Sequence, residues 1–399
     1  MIQRMITQPP NQPHARAQTL VYFASVFGFG AVMVSFGPVL PLLAAQVQTD
    51  LATIGLLFTF RALGFFLGSL AGGRVYDRLP GHRLLAAAGL TLATAFSVVP
   101  LVSELWQLLA VMLVLGSAAG LLVVGSNTLV VWVHPDNVGP WMNGLSFFNG
   151  IGGFLAPIFL TAFLTTTGEI QGAFFLIAGL IALAAGGAWL TASPAIRRTA
   201  DADGSDSRVR WGVVIPFALV FMLYVGAEVS FSGWLYTYTL ALHPESPANA
   251  ALLTAAFWAA VSIGRLLAIP LSVRLRPRNF LLIDFLLSLV SLVVILTLSA
   301  SLPALWIGTI GFGLGMSSLF SIWLTFADRR VKVDGKINGI FFASTALGGM
   351  SIPWLCGQVF AARGPRATML VIFCTLLIGF GVFVAMSYRY PRPVVEKQS

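Results

Sequence analysis

Charge is what this sequence has least of. Charged residues make up 9% of it, against about a quarter in an ordinary soluble domain, and acids are the scarcer kind, 14 against 23 bases. Cysteine is nearly missing. Cys356 and Cys374 both fall in apolar runs, which excludes a disulfide framework and suggests no metal. The four histidines (His14, His82, His134 and His243) fall in expected loops or tails without metal spacing. No H-E-x-x-H, G-x-S-x-G or G-x-x-x-x-G-K-[ST] is present, so nothing supports an enzyme or a cofactor. The first 18 residues, with Pro9, Pro10 and Pro13, lack the apolar core and cleavage site of a signal peptide and read as a disordered cytoplasmic tail.

What the chain has in quantity is apolar sequence, 57% of it. Runs of about 20 residues, each able to cross a ~30 Å hydrocarbon core, are predicted near 19–45, 51–73, 83–102, 105–132, 141–165, 172–192, 211–241, 248–270, 280–300, 304–327, 338–361 and 367–388. The fold class is therefore all-α and polytopic, with twelve transmembrane helices. If the N-terminus is cytoplasmic, 19 of the 23 lysines and arginines lie in inside loops and tails. Arg363 and Arg366 lie outside, and Arg61 and Arg265 lie within spans. That asymmetry fixes orientation. It also accounts for the net charge of +9 without nucleic acid. Both termini are expected in the cytoplasm, and a monomer surrounded by lipid is expected.

The longest polar interval, Ala192 to Arg210, carries Arg197, Arg198, Asp201, Asp203 and Asp206. It divides the chain into a tail (1–18), a six-helix bundle (19–192), a linker (193–210), a second six-helix bundle (211–388) and a tail (389–399). Repetition supports the cut. Asn143-Gly144, Gly152-Gly153 and Pro157 recur as Asn338-Gly339, Gly348-Gly349 and Pro353. Gly116-x-x-x-Gly120 is matched by Gly311-x-x-x-Gly315, and Leu79-Pro80…Leu84-Leu85 is echoed by Arg276-Pro277…Leu281-Leu282. Parallel repeats of this kind place a solute site at the midplane between two halves that rock about it.

The second span carries Gly64, Gly68 and Gly72 on one face, then Gly73, Arg74, Asp77, Arg78, the Pro80-Gly81 turn and Arg83. Such a loop of D-R…G-x-R type between two apolar helices resembles the signature loop of the major facilitator superfamily. Small residues four apart allow close helix approach. Asp77 can sit against the positive N-terminus of a helix from the other half, so that Gly73, Asp77, Arg78 and Arg83 form a conformational latch. The plainer reading is a basic turn that only fixes topology.

Polar groups inside spans are few, and each is a functional candidate by default. Arg61 holds a solute or counter-carboxylate, or bridges helices. Glu228, in Tyr224-Val225-Gly226-Ala227-Glu228, is positioned to bind and release a proton or sense a cation. Arg265 and Asp284 read as a structural pair on the cytoplasmic side. Asn149 and Asn127 offer donor and acceptor together, which suits sugar hydroxyls. Trp234, Tyr238, Trp258 and Trp323 offer rings on which a sugar's apolar face stacks, or else pack against neighbours. Trp106, Trp132, Trp141, Trp189, Trp211 and Trp306 read as an interfacial belt.

Beyond the superfamily, Arg61-Ala62-Leu63-Gly64…Asp77, Gly125-Ser126-Asn127, Phe148-Asn149-Gly150…Pro157, Tyr224…Glu228 and Gly264-Arg265-Leu266-Leu267 resemble the fucose–galactose–glucose permease branch and its sodium-dependent glucose transporters. The resemblance implies alternating access with a monosaccharide or similar polyol, coupled to H+ or Na+, at a site between spans one, four, five, seven, eight, ten and eleven. It puts the branch's sugar-binding amide on Asn149. Acids expected in the first and fourth spans fall on Gly37 and Val123, which leaves Glu228 or sodium to carry the coupling. It also leaves open an exporter of lipophilic compounds. A non-transporting receptor would need neither latch nor cavity charge.

Overall fold

The structure, a computed structural model, describes residues 15–135, 138–194, 211–328, 330–331 and 335–389. Most of the expected tails and of the 193–210 linker lies outside these residues. The helices are α1 (Ala15–Gln46), α2 (Leu51–Ile54), α3 (Leu56–Tyr76), α4 (Gly81–Val98), α5 (Leu105–Val133), α6 (Val138–Thr167) and α7 (Gln171–Leu190) in the first half. The second half holds α8 (Trp211–Leu242), α9 (Pro247–Arg274), α10 (Pro277–Thr297), α11 (Leu302–Met316), α12 (Leu319–Asp328), α13 (Gly335–Arg363) and α14 (Pro365–Arg389). Grouped by length and hydropathy they make twelve candidate membrane spans. Helices suit such a chain because each closes its own backbone hydrogen bonds where no water is available. The 77–80 and 275–276 turns, with Arg78 and Arg276, mark the basic end of the molecule, opposite the far end.

Lipid supplies no hydrophobic drive between helices, so packing rests on close backbone approach. In the first half α3 lies along α5. A Cβ added at Gly64 or Gly68 would overlap the carbonyls of Leu113 or Ser117, and one at Gly116 or Gly120 would overlap those of Arg61 or Phe65. The expected glycine face of span two is thus a helix-crossing surface.

The sequence repeat is a repeat of contacts. Gly152 of α6 presses on the carbonyl of Phe27 in α1, and Gly348 of α13 presses on that of Met222 in α8. Pro157 and Pro353 lie inside these two matching helices. One pairing is corrected. Gly311 and Gly315 face α10, through Ser291, Ser288 and the Asp284 carbonyl, whereas Gly313 meets the Phe257 carbonyl of α9. The counterpart of Gly116 is therefore Gly313. A spacing match alone could not see which face each glycine presents.

Span ten is not one helix. α11 stops at Met316 after a run rich in Gly311, Gly313 and Gly315, and α12 begins at Leu319. Glycine weakens helix propagation by about 1 kcal/mol per residue. The loose carbonyls at the break find other donors: Tyr224 Oη donates to Met316 O at 3.2 Å and Ser317 Oγ to Leu314 O at 2.6 Å.

His82 departs from its expected loop position. The Pro80-Gly81 turn starts α4 early enough to bury it in the first helical turn, 2.7 Å from Tyr22 Oη and 3.0 Å from Thr191 O. Of the expected belt residues, Trp141 instead stacks on His134 at 4.1 Å and on Phe23 at 6.3 Å.

Candidate functional site

A cavity of about 610 Å³ runs from Glu228, midway along α8, to the Leu275 and Pro277 turn at the basic end. Its wall is built from α6 (Asn143 and Ser146), α8 (Tyr224 and Glu228), α9 (Arg265), the start of α10 (Phe280) and the broken span ten (Ser317 and Ser318). Among the described residues, spans one, four and eleven contribute no lining residue to it. The cavity therefore sits further into the second half than the expected site. The α11–α12 break brings Ser317 and Ser318 into its wall.

Glu228 and Arg265 face this cavity half-buried. The close acid–base pairing recorded among the described residues is His243 with Glu245, at 3.3 Å. Glu228 and Arg265 thus share a cavity without a contact ion pair. The expected pairing of Arg265 with Asp284 is likewise not made. Asp284, 4% exposed, instead accepts from Ser318 Oγ at 2.5 Å, because its turn of α10 faces the break in span ten.

Asn149 stands at the crossing of α1 and α6, against Gly30. Its Oδ1 is buried with no hydrogen-bond partner. Asn127 Nδ2 donates to Val123 O of its own helix at 3.0 Å. Trp258 is half-buried, donates Nε1 to Ser232 Oγ at 2.8 Å and lies 3.4 Å from a Cβ placed on Gly153. These three stand outside the cavity lining. Tyr238 and Trp323 are packing elements of the second half. They are almost fully buried, donating to Ile295 O at 3.4 Å and Phe217 O at 3.1 Å.

Arg61 bridges helices. It donates Nη1 to Met33 O of α1 at 2.8 Å and lies between the Phe36 and Phe58 rings, 5.6 and 5.5 Å from their centroids. Trp234 belongs to a seal at the far end. It is fully buried, donates to Pro353 O at 3.0 Å, stacks on Phe360 at 5.5 Å and tilts against Phe58 of the other half at 6.3 Å. Around it Thr59 Oγ1 donates to Met350 O at 2.9 Å and Gln358 Nε2 to Ala52 O at 3.1 Å. Gly37, where the resemblance expected an acid, lets α1 meet α8. A Cβ there would lie 2.8 Å from Ser232 O, so this closure has no room for a longer side chain.

The two halves are thus joined at the far end and parted at the basic end. Gly73 and Gly339, at the basic ends of α3 and α13, stand in open space. Asp77, Arg78 and Arg83 are exposed, and among the described residues their side chains make no hydrogen bond or ion pair. Two helical bundles, a glycine-matched repeat and a cavity reached from one end describe an alternating-access transporter. The sequence pattern of the Major Facilitator Superfamily matches residues 19–353. The chain belongs to that superfamily.

As a major facilitator protein it resembles Sodium-dependent glucose transporter 1 of Danio rerio, 28% identical over 380 residues, which cover 85% of this chain and 64% of the relative. Sodium-dependent glucose transporter 1A of Mus musculus is 25% identical over 412 residues, covering 94% of this chain and 95% of the relative. Among solved structures, a mutant of the nucleoside transporter NupG superposes with a TM-score of 0.76 at 14% identity, over 93% of this chain and 99% of that one. That likeness concerns the fold.

Sequence reasoning missed the break in span ten, the Asp284–Ser318 bond and the far-end seal. Only the first had a local signal, in Gly311-Phe-Gly-Leu-Gly-Met-Ser-Ser318. The seal predicts a measurable effect for Trp234→Ala. Removing a buried tryptophan costs roughly 3–5 kcal/mol. Here much of that loss falls on the far-end closed arrangement. Alkylation of the buried Cys356, beside Pro353 and Gly357, is expected to speed up at least tenfold in a Cys374→Ser background. An unchanged rate would remove Trp234 from the seal.

Proposed function

We propose that this chain carries a hexose or similar polyol across the cytoplasmic membrane by alternating access, coupled to a cation, and catalyses no chemical reaction. The observation that carries the reading is the cavity sealed from the far end and lined midway by Glu228 and Arg265. The names of the similar proteins support glucose-like solutes and sodium. The arginine asymmetry supports cytoplasmic termini, which makes the arrangement described above inward-facing, in a monomer bounded by lipid.

In this reading Asn149 offers its unpartnered amide oxygen to a sugar hydroxyl, and Trp258 of α9 offers a ring face. Glu228 links the occupancy of the cavity to a proton or cation. When the basic end closes, Asp77 meets a helix N-terminus of the other half while Arg78 and Arg83 find acids or lipid phosphates. Gly73 leaves room for that approach.

Uptake of labelled D-glucose, D-galactose and L-fucose into proteoliposomes tests this, with and without pH and sodium gradients. Saturable flux of at least one sugar is expected. Asn149→Ala should cut it about tenfold, the worth of one good hydrogen bond. Dye extrusion without sugar flux would replace the reading with that of an exporter.

A further inference from the structure

We infer that Asp284 is a proton-binding site of the cavity wall, loaded and unloaded through Ser318 at the break in span ten. The inference rests on the cavity and deepens the coupled-transport reading, in which Glu228 alone was assigned an ion.

Asp284 lies at the core of the second half, 4% exposed, on α10. An ionised carboxylate in such a place demands a compensating charge. None is in contact. Its recorded side-chain partner is the neutral hydroxyl of Ser318, at 2.5 Å.

Among the described residues no lysine or arginine lies within ion-pair distance of Asp284. α11 carries no charged side chain. Arg366 of α14 is engaged at the far end with Ser299, at 2.9 Å from Nη2. Tyr388 and Arg389 close the basic end of α14, with Arg278 of α10 over the Tyr388 ring at 5.3 Å. Across the cavity stand Tyr224 and Glu228 of α8 and Arg265 of α9, and no contact pair forms with any of them.

Ser318 stands between this acid and the cavity. It is a residue of the cavity wall, as is Ser317, and its hydroxyl donates inward to Asp284. A continuous helix would spend these positions on its own turns. The break frees Ser318 to reach α10, and such discontinuities are where transporter folds place coupling-ion sites.

The exchange is simple. A hydronium in the cavity gives a proton to Ser318 Oγ while that hydroxyl passes its own proton to Asp284 Oδ2. The carboxylate becomes a neutral acid and water is left behind. Release runs in reverse. Closing the basic end would cut Ser318 off from that water, so proton exchange at Asp284 follows the conformational cycle.

Infrared difference spectroscopy of the purified protein between pH 5 and pH 9 tests this without any sugar, so it stands or falls separately from transport. The wild type is expected to show a C=O stretch of a buried protonated carboxyl that disappears at one end of the range. Asp284→Asn should remove that band. Ser318→Ala should shift its frequency, and Glu228→Gln should leave it in place. Superimposable spectra for wild type and Asp284→Asn overturn the proposal. So does loss of the band on replacing K+ with Na+ at fixed pH, which would make the site one for a metal ion.

Discussion

Glu228→Gln is expected to abolish accumulation while sparing exchange. A one-unit pH difference stores about 1.4 kcal/mol per proton. A carrier moving one proton with each sugar therefore concentrates its solute roughly tenfold. The glutamine keeps the shape and the hydrogen-bonding reach of the side chain, which shares the cavity wall with Tyr224 of its own helix and Arg265 of α9, but cannot change charge. Labelled sugar should then equilibrate and go no further, and counterflow of preloaded sugar should continue. Accumulation with an unchanged pH dependence would exclude Glu228 from coupling. The variant also separates the two acids: if Asp284 alone carried the ion, Glu228→Gln would still concentrate sugar.

The second large effect concerns the repeat itself. Gly152→Val and Gly348→Val are each expected to lose most of the folded protein. The atoms in the way are the backbone carbonyls of Phe27 and Met222, which no rotamer change can move. Overpacking against side chains typically costs 1–3 kcal/mol. Here the whole crossing of α1 on α6, or of α8 on α13, must open instead. Gly179→Val is the matched control, since a Cβ there meets nothing within 4 Å. The monodisperse fraction after detergent extraction should collapse for the first two variants and match wild type for the third. Equal yields for Gly348→Val and Gly179→Val would mean that the duplicated crossing is not a determinant of the fold.

Much of the fold was legible because lipid makes the rules blunt. A run of about 20 apolar residues has to be a helix, and every such run became a span. The glycines at 64 and 68 announced a close crossing through their spacing, whereas those at 152 and 348 were legible only as a repeat. The site was less legible. Nothing near Asp284 in sequence hints that its partner is Ser318, 34 residues on, because that bond depends on where span ten breaks. Tyr238 and Trp323 read as sugar-stacking rings, yet each faces a carbonyl of its own bundle. A tryptophan that packs and one that binds a solute have the same sequence signature. Gly37 shows the reverse: an unexplained departure from a family pattern became a contact at the far-end seal.

The account stands on two halves pivoting about a bound hexose. Spin-label distances test that most directly, in a chain with Cys356 and Cys374 replaced by serine. One label pair, Arg78→Cys with Arg276→Cys, spans the basic end, and another, Gln48→Cys with Glu245→Cys, spans the far end. All four positions are exposed. On adding saturating D-glucose the basic-end distance should shorten in the same fraction of molecules in which the far-end distance lengthens. Two distances that stay fixed, or that move in the same direction, would contradict the mechanism.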